Sequence, residues 1–148
     1  MIMANEMDWR CRRMMRRWGD GGKRSKMICF HGQGLTTRDA DMLLEGMSRE
    51  EQREARQANL SHNDLDESPP ALAHLGWLEA LWMAGNMIER LGAATRLMNL
   101  RLLDLSDNRL NHLPPELGKL TLLEELYLKN NMLRGLPREA KRLIDMRV

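Results

Sequence analysis

The chain has 148 residues, enough for one domain with a single core, and its 43% apolar and 30% charged content fits a folded protein rather than a disordered one. No apolar run nears the roughly 20 residues of a membrane span, and the N-terminus mixes Glu6 and Asp8 with five arginines, unlike a secretory leader. Formal charge is only +2, but residues 1–24 hold seven Lys/Arg against three Asp/Glu (+4), leaving sixteen against eighteen (-2) elsewhere.

These totals lead us to expect a cytoplasmic, intracellular chain. Cys11 and Cys29 are the two cysteines, too few and too far apart for a metal frame, and a reduced state is the simpler expectation.

Met3, Met7, Cys11, Met14, Met15 and Trp18 recur at helical spacing, with Arg10, Arg12, Arg13, Arg16 and Arg17 largely between them. Gly19-Asp20-Gly21-Gly22 follows, so the spacing predicts a basic amphipathic helix ended by glycines within a first segment, 1–24. Two uses fit it. It could cap the open end of a core, or residues 7–18 could bind nucleic acid or an anionic membrane.

The second segment, 25–148, is patterned differently. Ile28, Phe30 and Leu35 are spaced as inward-facing strand residues, with Gln33 between them. Thr36-Thr37-Arg38-Asp39 reads as a helix start, and Ala40, Leu43, Leu44 and Met47 as its buried face. Ser48 and Glu51 repeat a capping-box spacing, so residues 49–57 are contested between helix and strand.

Further along, one frame recurs: L-x-x-L-x-L-x-x-N-x-L. Leu100, Leu103, Leu105, Asn108 and Leu110 fill it, as do Leu123, Leu126, Leu128, Asn131 and Leu133. Leu78, Leu81, Met83, Asn86 and Ile88 form another copy, and Ala55, Ala58, Leu60, Asn63 and Leu65 a weaker one. The asparagines keep register: Asn63 to Asn86 is 23 residues, Asn86 to Asn108 is 22, and Asn108 to Asn131 is 23. Gln33 to Asn63 is 30, the extra length holding the predicted helix. Between copies, Ser68-Pro69-Pro70-Ala71-Leu72 aligns with Leu113-Pro114-Pro115-Glu116-Leu117, and proline cannot donate to a central strand, so these stretches form the turning side.

With these residues the chain resembles the leucine-rich-repeat family. The first repeat is similar to the longer repeats of the ribonuclease-inhibitor class, and the later ones to the shorter repeats of intracellular Ras-pathway scaffolds. The resemblance implies an α/β solenoid of about five repeats, with a curved parallel sheet on the concave side, short helices or turns on the convex side, and a role in binding other proteins.

Within each repeat, alternation sends the fourth and sixth positions inward and the third, fifth and seventh outward. Stacking then places Cys29, Asn59, Trp82, Asp104 and Tyr127 in one outward column. His31, Ser61, Ala84, Ser106 and Lys129 form a second, and Met27, Gln57, Ala80, Leu102 and Glu125 a third, with His62, Asp107 and Asn130 beside them. Trp82, Leu102 and Tyr127 are apolar where water is expected, which marks either a binding face or sideways packing along the sheet. The candidate partner-binding set is therefore Trp82, Leu102, Asp104, Ser106, Asp107, Glu125, Tyr127 and Lys129.

Asn63, Asn86, Asn108 and Asn131 are assigned a structural task, satisfying the backbone of the turn that leaves each strand. No nucleophile elbow, phosphate loop or metalloprotease motif occurs, so no catalytic residue, cofactor or metal is expected. Cys29, His31 and His62 form a weak soft-metal corner, and His74 and His112 fall on the turning side. At the other end, Leu126, Leu128 and Leu133 are expected to form an uncapped edge unless residues 138–146 cover it, leaving oligomerisation open.

Overall fold

The computed structural model describes residues 26–139. The basic segment with Arg10, Arg12, Arg13, Arg16 and Arg17, and the final residues 140–148, lie outside the described part.

β1 (Lys26–Cys29), β2 (Ala55–Asn59), β3 (Ala80–Trp82), β4 (Leu102–Asp104) and β5 (Glu125–Tyr127) form one parallel sheet in sequential order. Ala58, Leu81, Leu103 and Leu126 lie side by side, as do Asn59, Trp82, Asp104 and Tyr127, which is the register the leucine frame predicts. The ladder runs past the strands proper: Leu60 N–H donates to Trp82 O, Met83 N–H to Asp104 O, and Leu105 N–H to Tyr127 O, at 2.8–2.9 Å.

The return segments differ along the chain. In the long first coil, α1 (Thr37–Glu45) and α2 (Arg49–Glu54) both begin at full capping boxes, Thr36 with Asp39 and Ser48 with Glu51. Helix wins residues 49–54, and strand wins from Ala55, whose extended backbone ends α2. The turn is abrupt because Ala55 packs fully into the core while the six helical residues bury none of their side chains. Leu43 departs from expectation. Ala40 and Leu44 are buried, whereas Leu43 points to solvent, because a helix this short docks only one narrow stripe.

The later coils return through single 3-10 helices, Pro70–His74, Ala93–Arg96 and Pro115–Lys119, two of them entered at prolines. Proline at the first position needs no donor, so the same residues that are barred from the sheet initiate the convex turns.

Between sheet and turns runs one continuous core, including Leu60, Leu65, Leu72, Leu78, Leu81, Leu103, Leu105 and Leu117, essentially without exposure. Each such leucine contributes roughly 1.5–3 kcal/mol by leaving water, so these columns dominate the stacking free energy. Position two of the frame carries Arg56, Glu79, Arg101 and Glu124, an alternating column on the rim. Arg56 meets Glu79 at 3.9 Å and Arg101 meets Glu124 at 2.6 Å. Exposed pairs of this kind are worth about 0–1 kcal/mol, so they favour register rather than hold the fold.

Candidate partner-binding face

The asparagines set the shape of the face. Asn86 sits at the turn leaving β3, and its side-chain oxygen accepts from Asn63 N–H (3.2 Å) and Leu65 N–H (3.1 Å) of the preceding coil. Its amide nitrogen donates to Leu60 O and Met83 O, both at 3.0 Å. Asn63 repeats this toward the first coil, accepting from Gln33 and Leu35 N–H and donating to Phe30 and Leu60 O. Asn108 and Asn131 do the same further along, accepting from Ile88 and Leu110 N–H respectively. Each amide thus clamps two successive coils. Sequence reasoning assigned it only its own turn.

A second regularity is conformational. The residue before each ladder position has a left-handed backbone: Gly32 (φ 64), His62 (57), Gly85 (66), Asp107 (55) and Asn130 (56). That conformation suits glycine and tolerates Asn, Asp and His, so the composition of the column already carried the signal. Four of these amides join the ladder: Gly32 N–H donates to Ser61 O, His62 to Ala84 O, Gly85 to Ser106 O and Asp107 to Lys129 O, at 2.8–3.0 Å.

The outward columns fall where the frame puts them, but the face is divided. Around β1 to β4, Met27, Ala80, Trp82 and Leu102 form a second apolar cluster separate from the core, with Cys29 and Tyr127 packed against it. Trp82 is only 5% exposed and Leu102 3%, so these two are not apolar residues standing in water. Around β4 and β5 the face opens: Asp104, Ser106, Glu125 and Tyr127 are half-exposed, and Asp107 and Lys129 exposed. Tyr127 Oη donates to Glu125 Oε2 at 2.5 Å, Asp104 Oδ1 accepts from Ser106 N–H at 2.9 Å, and Asn130 Nδ2 donates to Asp107 Oδ1 at 2.7 Å. The open half thus presents a tyrosine rim among three carboxylates and one lysine.

Elsewhere the geometry is less suggestive of chemistry. His31 and His62 meet edge to face with ring centres 5.0 Å apart, but Cys29 is disulfide-bonded, which removes the thiolate from the soft-metal corner and corrects the expectation of a reduced thiol. Among the described residues, no three His, Cys, Asp or Glu side chains group to hold a metal. His74 and His112 are exposed on the turning side. A convex hollow of about 570 Å³ is lined by Thr37, Asp41, Asp64, Asp66 and Glu67; the Thr37 hydroxyl hydrogen bond holds the Asp66 carboxyl below its usual pKa. At the far end, Leu126 and Leu128 are buried and Leu133 half-buried, so the expected apolar edge is partly closed within the described residues.

A leucine rich repeat family model matches residues 92–143. This chain is a leucine-rich-repeat solenoid. Among solved structures, a leucine-rich-repeat protein of Leptospira interrogans is 35% identical with a TM-score of 0.60, over 68% of this chain and 26% of that one. A chain in the crystal structure of the BIR3–SERK2 complex from Arabidopsis thaliana is 27% identical with a TM-score of 0.58, over 84% of this chain and 66% of that one. The solenoid therefore spans about a quarter of the Leptospira protein and just under two thirds of the Arabidopsis chain. A search of curated protein sequences finds no match. Among the described residues, no helix of the solenoid is long and apolar enough to cross a membrane.

Proposed function

We propose that this solenoid is a protein-interaction module whose concave sheet receives a segment of another protein, chiefly over β4 and β5. One observation carries the reading. Tyr127 stands half-exposed at the rim of an apolar cluster, beside Asp104 and Glu125, with Asp107 further along the same face and Lys129 the single cation in the candidate set. Aromatic residues with an apolar body and a polar tip are favoured interface anchors, and the surrounding carboxylates select for charge. The fitting partner is an extended or helical segment with an apolar residue flanked by Lys or Arg. Strands about 4.8 Å apart make the five-strand ribbon roughly 20 Å wide, long enough for such a segment. The Arabidopsis neighbour, crystallised as a complex, supports protein binding as the use of this architecture. The long first coil with two helices supports kinship with the ribonuclease-inhibitor class, and the proline-led 3-10 coils support kinship with the shorter intracellular type.

The test is a peptide-display selection on the immobilised full chain. Selected peptides should be basic and bind wild type at least about tenfold more tightly than Tyr127→Ala, a loss of 1.4 kcal/mol or more. Selection of acidic peptides, or equal binding by Tyr127→Ala with its thermal unfolding unchanged, overturns the reading.

A further inference from the structure

Two hollows open on the turning side, and they carry opposite charge. The first sets Asp41, Asp64, Asp66 and Glu67 against Arg38. The second, about 490 Å³, is formed further along, where the 3-10 turns Ala93–Arg96 and Pro115–Lys119 adjoin. There the balance reverses: Arg90, Arg96 and Lys119 face one carboxylate, Glu116, with His112 beside them.

Repetition builds this concentration of charge. Arg96 ends one 3-10 turn and Lys119 ends the next, and the two turns pack on each other, so like charges are stacked across adjacent coils. Among the described residues, neither Arg96 nor Lys119 enters an ion pair, whereas Lys26, Arg56 and Arg101 each hold a glutamate. Arg90 has a counter-charge at longer range, since it helps to keep Asp66 ionised. The floor is closed by Leu91 and Thr95, both buried, and the Thr95 hydroxyl already donates to Gly92 O at 2.9 Å. Hydrogen-bond donors for a ligand therefore come from the two guanidinium groups and the ammonium. Met98, 49% exposed, forms an apolar lip.

The geometry points to a binding site for a phosphorylated segment of another protein, with the phosphate of a phosphoserine or phosphothreonine seated against Arg96 and Lys119. Such a phosphate brings a charge of about -1.5 to -2 and three strong acceptor oxygens, which planar guanidinium forks and an ammonium satisfy together. The volume lies within the range of ligand clefts and leaves room for the residues flanking the phosphate, for which Met98 is an adaptable apolar contact. Nucleic acid and anionic membranes carry the same sign of charge, but over an extended surface. Either would also meet the carboxylates of the first hollow, and no Phe, Tyr or Trp lines the second to stack a base. One phosphate on a short segment fits a basic island of this size. The site lies on the opposite side of the solenoid from β4 and β5 and does not depend on the concave-face reading.

The test uses the full chain and a degenerate peptide library centred on phosphoserine, each member matched by its unphosphorylated form. The best members should bind at least about tenfold more tightly when phosphorylated, and the double variant Arg96→Ala/Lys119→Ala should remove that gain. Both side chains are exposed, so its thermal unfolding should match wild type. Arg96→Lys, which keeps the charge and drops the planar fork, should fall between the two. Tyr127→Ala should bind the phosphopeptides as wild type does, so that failure of one site leaves the other standing. Equal binding of phosphorylated and unphosphorylated peptides overturns the inference, as does a double variant that keeps the gain. Inorganic phosphate binding as tightly as the peptides would reduce the site to one for free phosphate. Tighter binding of a single-stranded oligonucleotide or of phosphatidylserine vesicles, lost in the double variant, would make it a polyanion site and overturn the inference equally.

Discussion

The side-chain oxygen of Asn86 accepts hydrogen bonds from the backbone N–H of Asn63 and of Leu65, one coil earlier, while the Asn86 nitrogen donates to Leu60 and Met83 carbonyls on both coils. A single amide therefore satisfies four backbone groups where no leucine could. Asn86→Ala strands buried donors and acceptors and should cost about 1–3 kcal/mol, at the upper end because several groups are orphaned at once. Asn131, half-exposed with fewer neighbours, should cost less, since water replaces what its loss removes. Urea unfolding of the two alanine variants measures the ordering, and Asn131→Ala equalling or exceeding Asn86→Ala contradicts the clamp.

Gly85 is held by two constraints at once. Its backbone is left-handed at φ 66, and a Cβ there would come within 2.5 Å of the His62 ring. Gly85→Ala should lose about 1–2 kcal/mol from the conformation alone, and more from the ring. In a His62→Ala background the loss should shrink to the conformational part. Asp107→Gly, at the equivalent position, should be close to neutral. Thermal melts of the three variants check the set.

Core and rim should separate cleanly. Leu103→Ala, fully buried in the central column, should cost about 2–5 kcal/mol. Glu124→Ala, which removes an exposed partner of Arg101, should cost less than about 1 kcal/mol and lose its effect in high salt. Chemical denaturation at low and high ionic strength measures both.

The first coil carries an acid sensitivity. Hydrogen bonding from Thr36 lowers the Asp39 pKa, and hydrogen bonding from Ser48, then Lys26, lowers that of Glu51. Because both carboxyls are more acidic folded than unfolded, their contribution is fully present above the ordinary carboxylate pKa. It falls away as pH drops through the folded values, which lie below the ordinary carboxylate range for both Asp39 and Glu51. Helical circular dichroism from pH 6 down to about 3 should show this loss, and Asp39→Asn should flatten its share. An Asp39→Asn profile identical to wild type removes the capping explanation.

The chain shows how much of a repeat fold is written locally. Leucine spacing and asparagine register suffice to place Trp82 beside Asp104 and Asp104 beside Tyr127, because a period-two strand leaves no other pairing once Leu81, Leu103 and Leu126 face inward. Prolines 69, 70, 114 and 115 fix the convex side by the donor they lack. Three things were less legible. The α2-to-β2 switch at Ala55 turns on tertiary burial of one small residue, against a helical propensity that favours residues 49–57. Of the left-handed column, His62, Asp107 and Asn130 read only as outward residues and Gly32 and Gly85 carried no assignment, until the backbone showed why those types recur. The burial of Trp82 in a cluster with Met27, Ala80 and Leu102 is a packing that periodicity within the sheet does not encode.

Hydrogen exchange of the full chain with and without a display-selected basic peptide tests the central claim most directly. Protection should concentrate at 102–107 and 125–130, the concave ends of β4 and β5. Protection confined to the convex turns, 70–74, 93–96 and 115–119, would mean that the solenoid binds with its other side.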